Sequence, residues 1–280
     1  MKKILIALIL TIFSFTGFSQ ISGGLFVGPN LSWFGVDSKV QSSEGVRLGY
    51  TFGATADFPF SDNFLFTAAI KYNDLGGTMK YKNGALVHLY DEAVPTLELI
   101  GNNQNIEYNL QYLELPIGFK GKTNEIGFLS YFMKAGVTPM ITLKGKADIT
   151  AGSNDLFTKN MSFFNFNWFM GGGFEWSLTG NTRFFAEIVY TGGIADFIKD
   201  EFRSNDSDLQ TTVSPIDDFE HSDRYESFDE FEDTFDDVKD DYEDNPDNNS
   251  FEGFIDDNSK IIRTHRGKTN AIELKIGILF

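Results

Sequence analysis

The chain has 280 residues and no cysteine, which excludes disulfide frameworks and thiolate metal sites. Phenylalanine (30 residues) and glycine (27) are abundant, a composition typical of β-barrels. The formal net charge of -17 comes from the acidic segment 200–257, and with no basic patch elsewhere the composition excludes nucleic acid as a partner.

Residues 1–19 have the pattern of a secretory signal peptide. Two lysines precede an apolar run that ends at Phe15, and small residues follow it. We predict cleavage before Gln20, which leaves 20–280 as the mature chain. An uncleaved membrane anchor is the alternative.

Period-two alternation of apolar and polar residues predicts eight strands in the mature chain. Each strand is long enough for the roughly 9–11 residues that a tilted membrane strand requires. The predicted strands are Gly23–Phe34, Val46–Phe58, Phe64–Asn73, Ile106–Lys120, Phe128–Lys144, Phe163–Leu178, Thr182–Ala195 and Lys268–Phe280.

The connections between these strands alternate between short and long. Outer-membrane barrels with both termini in the periplasm show this alternation, because periplasmic turns are short and extracellular loops are long. The sequence therefore predicts an all-β fold, an eight-stranded antiparallel up-and-down transmembrane β-barrel in the outer membrane of a Gram-negative bacterium. Residues 196–267 would form a long acidic extracellular loop between the seventh and eighth strands.

The two faces of the predicted strands differ in chemistry. One face is apolar and aromatic, whereas the other is small and polar, with about one charge per strand. A lipocalin-like soluble barrel would instead carry a solvated face rich in Lys and Glu, so we expect the apolar face to contact outer-membrane lipid. A paired structural network inside the lumen is favoured over an ion or proton path. Its predicted members are Arg47, Lys71, Glu114, Lys134, Glu175, Glu187, Glu273 and Lys275.

The final residues NAIELKIGILF form the last predicted strand, which must pair with the first strand to remove both sheet edges from hydrocarbon. The terminal Phe280 resembles the C-terminal signal by which the barrel assembly machinery recognises its substrates. We therefore expect that machinery as a partner during biogenesis.

Two runs carry a resemblance to a known family. LQYLELPIGFKGK in the fourth strand and GGLFVGPNLSWF in the first are similar to the outer-membrane β-barrel proteins of Bacteroidetes, which include PorT-like proteins. The resemblance covers the mature chain except the acidic segment and implies an eight-stranded barrel, usually without an assigned activity. Within the first run, Pro116 predicts a bulge or a local break in strand pairing, because proline has no N–H to donate.

Catalytic chemistry finds no support in the sequence. The three histidines, His88, His221 and His265, fall in predicted loops, and none has the setting of a hydrolase triad, a zinc site or a phosphate-binding loop. We predict a protein that is not an enzyme, with no catalytic, cofactor-binding or metal-binding residues.

The acidic segment is the remaining candidate for function. Its aromatic stripe, at helical spacing and surrounded by carboxylates, consists of Phe228, Phe231, Phe235, Val238 and Tyr242. One interpretation is a solvated, disordered loop, and another is a helix that folds when the stripe meets a protein partner. Ca²⁺ binding in DDYEDNPDNNSFEG is a third, although EF-hand spacing is missing.

We therefore predict a non-enzymatic scaffold with a filled lumen that displays the acidic loop to a partner or ligand. An accessory subunit of an outer-membrane export or assembly complex, as for PorT-like proteins, is the alternative. A small pore or a barrel enzyme ranks below both.

Overall fold

The computed structural model is dominated by β-strands. It describes residues 21–36, 41–89, 96–149, 155–156, 162–197, 213–216, 224–244, 254 and 267–280. The predicted signal peptide lies outside these described residues. No helix among them is both long and apolar enough to cross a membrane.

The described residues form thirteen strands and one helix of more than one turn. In chain order they are β1 Ser22–Gly35, β2 Gln41–Pro59, β3 Phe64–Tyr81, β4 Ala85–Leu89, β5 Thr96–Ile100, β6 Gln104–Glu114, β7 Ile117–Lys122, β8 Leu129–Ile149, β9 Asp155–Leu156, β10 Phe164–Thr179, β11 Thr182–Gly193, β12 Val213–Pro215, α1 Phe228–Asp244 and β13 Lys268–Leu279.

Eight antiparallel strands close into a ring. The order is β1, β2, β3, β6 with β7, β8, β10, β11 and β13, and β13 pairs again with β1. The first and last strands are joined at their ends by two backbone hydrogen bonds, in which the Phe280 N–H donates to the Gly23 carbonyl at 2.8 Å and the Gly23 N–H to the Phe280 carbonyl at 3.1 Å. The ring therefore has the predicted number of strands and no free edge at this seam.

Pro116 divides the fourth ring strand into β6 and β7. Both halves pair with β3 and with β8, and the register is the same on the two sides of Pro116. A register shift in the β6–β8 pairing lies further along, between Gln111 and Tyr112. The Leu115 N–H donates to the Pro139 carbonyl at 2.9 Å, and the Pro116 carbonyl accepts from the Ala69 N–H at 2.9 Å. Of the two predicted outcomes, the structure shows a local break in the pairing without a bulge.

Three connections at one end of the ring are short, 60–63, 123–128 and 180–181, and three at the other end are long, 82–103, 150–163 and 194–267. We call these the short-turn end and the long-connection end. The first connection, predicted to be long over 35–45, spans only 36–40, so the prediction of strict alternation is wrong there. At the long-connection end, however, several strands run further than the sequence indicated. β3 continues to Tyr81, β2 begins at Gln41 and β8 extends to Ile149. In this upper part of β3 the apolar Leu75 and Met79 are buried inside the ring. In this part of β3 the inward side chains are apolar, whereas further down they are polar. The predicted strands ended too early because the prediction assumed an apolar outer face and a polar inner face throughout.

A second, smaller sheet lies in the long connections. Its strand order is β12, β4, β5, so the predicted loop 74–105 contains a hairpin of β4 and β5. Helix α1 packs near this sheet, and Phe231 and Phe235 of α1 share a buried apolar cluster with Leu86 of β4. The prediction of a disordered loop is therefore wrong for residues 228–244.

Candidate functional site

The outer face of the ring is apolar and the inner face is polar. On β2, Val46 and Leu48 are 69% and 70% exposed, whereas Thr51 and Asp57 on the other face are 0% and 2% exposed. This arrangement excludes a lipocalin-like core, in which the apolar face would be inside. All eight predicted lumen charges take part in ion pairs.

Six of the eight form one connected group, the middle cluster, whose members are Lys71, Glu114, Lys134, Glu187, Glu273 and Lys275. The Lys71 ammonium lies 2.8 Å from a Glu114 oxygen and 2.5 Å from a Glu273 oxygen. The Asn73 amide also donates to both carboxylates, at 2.8 Å each. The neighbouring strands β3 and β6 are thus joined to β13, across the lumen, through one lysine and one amide.

The other side of the middle cluster is centred on Glu187 of β11. Its oxygens lie 2.7 Å from Lys134 Nζ and 3.7 Å from Lys275 Nζ, and Lys275 in turn contacts Glu273 at 2.5 Å. Three lysines therefore face three glutamates. Buried charges are costly unless paired, so this balance indicates a structural network.

A second group, the short-turn cluster, lies at the short-turn end of the lumen. Lys120 Nζ contacts Asp57 and Glu175 at 2.6 Å each, and Glu175 also accepts from Lys122 at 2.5 Å and from Arg183 at 3.0 Å. Of these five residues only Glu175 was predicted. Asp57 and Arg183 are in phase with the polar face of their strands, so the alternation alone could have identified them.

Arg47 and Asp74 form a third group of paired charges. The predicted Arg47 contacts Asp74 at 2.8 Å and donates to the Leu75 carbonyl at 3.0 Å. Asp74 was missed because the sequence placed it in a loop, whereas the structure places it inside β3.

Glycines on the inner face make room for these side chains. A Cβ on Gly173 would lie 2.9 Å from the Glu187 Cβ and 2.1 Å from the Ala186 carbonyl oxygen. A Cβ on Gly53 would lie 2.8 Å from the Lys71 Cβ. Each of these charged residues is therefore paired with a glycine on the neighbouring strand, whose lack of a side chain leaves space for the charged one.

An apolar core fills the long-connection end of the ring. Phe197 stacks on Phe34 with ring centroids 4.8 Å apart and meets Tyr108 edge-on at 5.7 Å. The Phe197 N–H donates to the Gly267 carbonyl at 3.0 Å. The two ends of the insertion between β11 and β13 thus meet at one neck, and Phe197 covers the lumen there.

The centre of the aromatic stripe of α1 is buried and is not exposed for binding a partner. Phe231 and Phe235 are buried, in contact with Leu86, Tyr225 and Phe254, and Phe228 and Val238 pack at the margin of the same cluster. The prediction that these side chains are available to a partner is therefore wrong for Phe231 and Phe235, because the chain's own loop sheet covers them. The side chain of Tyr242 lies outside the described residues.

What α1 does present to solvent is its carboxylates. Residues 224–244 contain eleven acidic and two basic residues, and most acidic side chains of the helix are exposed. Ser227 caps the helix, since its hydroxyl accepts from the Glu230 N–H at 3.3 Å, and the Glu230 carboxylate accepts from the Glu226 N–H at 2.7 Å. The S-x-x-E spacing of Ser227 and Glu230 is a sequence signal for the start of a helix, and here the Glu230 carboxylate accepts from Glu226 rather than from Ser227 itself.

The histidines and the candidate Ca²⁺ segment of the long connections lie mostly outside the described residues. His221 and His265 lie outside the described residues, and only the backbone of His88 is described, in β4. Most of the candidate Ca²⁺ segment DDYEDNPDNNSFEG is outside them as well. Within the described residues, no three His, Asp or Glu side chains are grouped so as to hold a metal ion.

Comparisons with known proteins agree with this geometry. Residues 15–199 match the model of a family described as outer membrane protein beta-barrel domain. The sequence matches no curated protein.

Three solved structures of outer-membrane proteins match the chain at low sequence identity. Ail, the attachment invasion locus protein of Yersinia pestis, solved with the heparin analogue sucrose octasulfate, is 11% identical, with 93% of this chain and 99% of that chain covered and a TM-score of 0.36. Neisserial surface protein A is 11% identical, with 93% and 98% covered and a TM-score of 0.36. OprG from Pseudomonas aeruginosa is 10% identical, with 92% and 94% covered and a TM-score of 0.38.

Proposed function

The chain belongs to the outer membrane protein beta-barrel family, and from that premise we propose that it is a non-enzymatic scaffold whose closed barrel displays a folded acidic segment to a basic protein partner outside the cell. The long-connection end would face the exterior and both termini the periplasm, as is usual for barrels with this alternation of connections.

The carrying observation is the packing of α1. Phe231 and Phe235 of its aromatic stripe are buried in one cluster with Leu86 of β4, so the carboxylates are held on a folded support. A charged surface that is ordered before binding loses less conformational entropy on association, and complementary charge selects the partner and speeds encounter. The excess of acidic side chains on α1 therefore favours a partner with a basic surface.

The filled lumen supports a scaffold over a pore. An eight-stranded ring has an interior that side chains can fill, and here ion pairs and an apolar core occupy successive levels of it. A conducting protein would show discrete current steps in planar bilayers, whereas the scaffold would show none.

The test compares partner capture in cells by two charge variants. In the helix variant, Asp233, Asp236, Asp237 and Asp240 are replaced by Asn on the exposed face of α1. In the control, the exposed Asp62→Asn and Glu125→Gln changes lie at the short-turn end. We expect a cross-linked complex from native membranes with the wild type and the control, and its loss with the helix variant.

Other outcomes assign a different function. A large complex that persists in mild detergent with the helix variant would favour the accessory-subunit role, as for the PorT-like proteins of Bacteroidetes that the sequence resembles. Purification of the wild-type barrel alone under every cross-linking condition would overturn the display role.

A further inference from the structure

A small cavity lies inside the ring between the middle cluster and the short-turn cluster. Its volume is about 30 Å³. Charged side chains from both clusters line it, together with Thr191 and the apolar Ala69, Val189 and Leu279. The charged lining residues are Asp57, Lys71, Lys120, Lys134, Glu187 and Lys275.

Two buried oxygens of the lining lack a protein partner. Asp57 Oδ2 is held by Lys120 at 2.6 Å, but no group among the described residues is within hydrogen-bonding distance of Asp57 Oδ1. The same is true of Thr191 Oγ1. Both residues are 2% exposed, so they have almost no contact with bulk water. A buried polar atom without a partner costs free energy comparable to a lost hydrogen bond.

We propose that the cavity is a hydration site in which about two ordered water molecules bridge Asp57 Oδ1, Thr191 Oγ1 and the surrounding ammonium groups, since about 10–15 Å³ of such volume admits one water molecule.

The chemistry of the lining selects water over an ion. Asp57 Oδ1 is an acceptor, so its partner must donate a hydrogen bond, which a halide cannot do. Four lysines line the cavity and repel a metal cation. A water molecule can donate to the carboxylate and accept from an ammonium group at the same time.

On the side of the long-connection end, other groups fill the lumen beyond the cavity. Above the cavity are the ion pairs of Lys71 with Glu114 and Glu273, and then the apolar core around Phe197. The waters therefore exchange through the short-turn end, and hydration of the lower lumen does not create a path across the barrel.

The experiment detects water beside cavity methyl groups by NMR. Full-length protein with protonated methyl groups, refolded in perdeuterated detergent, is examined for cross-relaxation with water. We expect cross-peaks from water to the methyl groups of Val189 and Leu279, and none to Leu110, which lies in the apolar core. Absence of water cross-peaks at both cavity residues, with their signals assigned, would overturn the proposal.

Two substitutions test the assignment, and one serves as a matched control. Ala69→Leu fills the cavity and should abolish the cross-peaks, and Thr191→Val removes one polar partner and should weaken them at least twofold. Thr51→Val is the control, because Thr51 is also buried in the lumen but its hydroxyl already donates to the Tyr72 carbonyl at 3.0 Å. Cross-peaks that persist unchanged in both cavity variants would place the water elsewhere.

A salt titration separates water from an ion. At constant ionic strength, chloride is exchanged for bromide and sodium for potassium while the Val189 and Leu279 signals are followed. Unchanged positions support a hydration site. A saturable shift with one ion would replace the proposal by an ion site.

Discussion

Lys71 on β3 and Glu273 on β13 are 202 positions apart in the sequence, and their side chains meet in the lumen at 2.5 Å. β1 and β2 separate their strands in the ring, so the pair spans the interior rather than one strand ladder. Both groups are almost fully buried. The contact ties the closing strand to the opposite wall of the barrel.

Removal of one partner from this pair should destabilise the barrel strongly. Lys71→Met leaves Glu114 and Glu273 buried without their shared cation, a change that costs about 3–5 kcal/mol in buried pairs. The free energy of unfolding, measured by urea titration in lipid vesicles, should fall accordingly. Lys82→Met, at an exposed lysine, is the control and should change it by less than about 0.5 kcal/mol. Equal effects of the two substitutions would contradict the network.

The outward face can be tested at Leu274 on β13. Leu274→Arg should impair insertion by about 2–4 kcal/mol near the middle of the bilayer, because the guanidinium would face lipid. Heat-modifiable gel mobility after refolding in lipid vesicles reports the inserted fraction. Leu274→Met, which keeps the side chain apolar, should insert like the wild type. Normal insertion of the arginine variant would show that this face does not contact lipid.

The neck at Phe197 and Gly267 predicts that the insertion is separable from the ring. Because the two residues are joined by a backbone hydrogen bond, replacing 198–266 by Asn-Gly should leave a barrel that still shows heat-modifiable mobility. Circular dichroism before heating checks its strand content. If only the full-length chain refolds, the insertion is part of the barrel fold and the display role fails.

Phe197 should contribute more to the stability of the ring than the insertion that follows it. Phe197→Ala removes a fully buried ring between Phe34 and Tyr108 and should destabilise the barrel by about 3–5 kcal/mol. Urea unfolding of the full-length chain measures this loss. Phe163→Ala, at a residue 65% exposed just before β10, is the matched control and should cost clearly less in detergent.

The helix cap predicts a local effect on α1. Ser227→Ala removes the acceptor for the Glu230 N–H and should destabilise the helix by about 1 kcal/mol. Hydrogen exchange of the α1 amides should accelerate, while exchange in the ring strands stays unchanged. Ser227→Asp keeps a capping oxygen and should retain the protection. Unchanged exchange in Ser227→Ala would mean that burial of Phe231 and Phe235 alone holds the helix.

Much of the ring was predictable because strand alternation is a local property. The side chains of Arg47, Glu175 and Lys275 were assigned to the lumen from their positions within single strands, and the structure pairs each of them there. The same local property failed beyond Asn73, where β3 continues with its apolar residues turned inward. A prediction that assumes an apolar outer face and a polar inner face ends the strand where the interior of the ring becomes apolar.

By itself, the sequence determined the eight ring strands, the polarity of each face and the helical spacing of the aromatic stripe. These features depend on the period of each element, which neighbouring residues encode. Only the tertiary structure decided which charges pair and what covers the stripe. Lys71 meets Glu273 because the closed ring brings their strands to opposite walls of one lumen, and Phe231 is buried because Leu86, from a distant connection, packs on it. Such partners follow from chain closure and from long-range packing, which no local pattern contains.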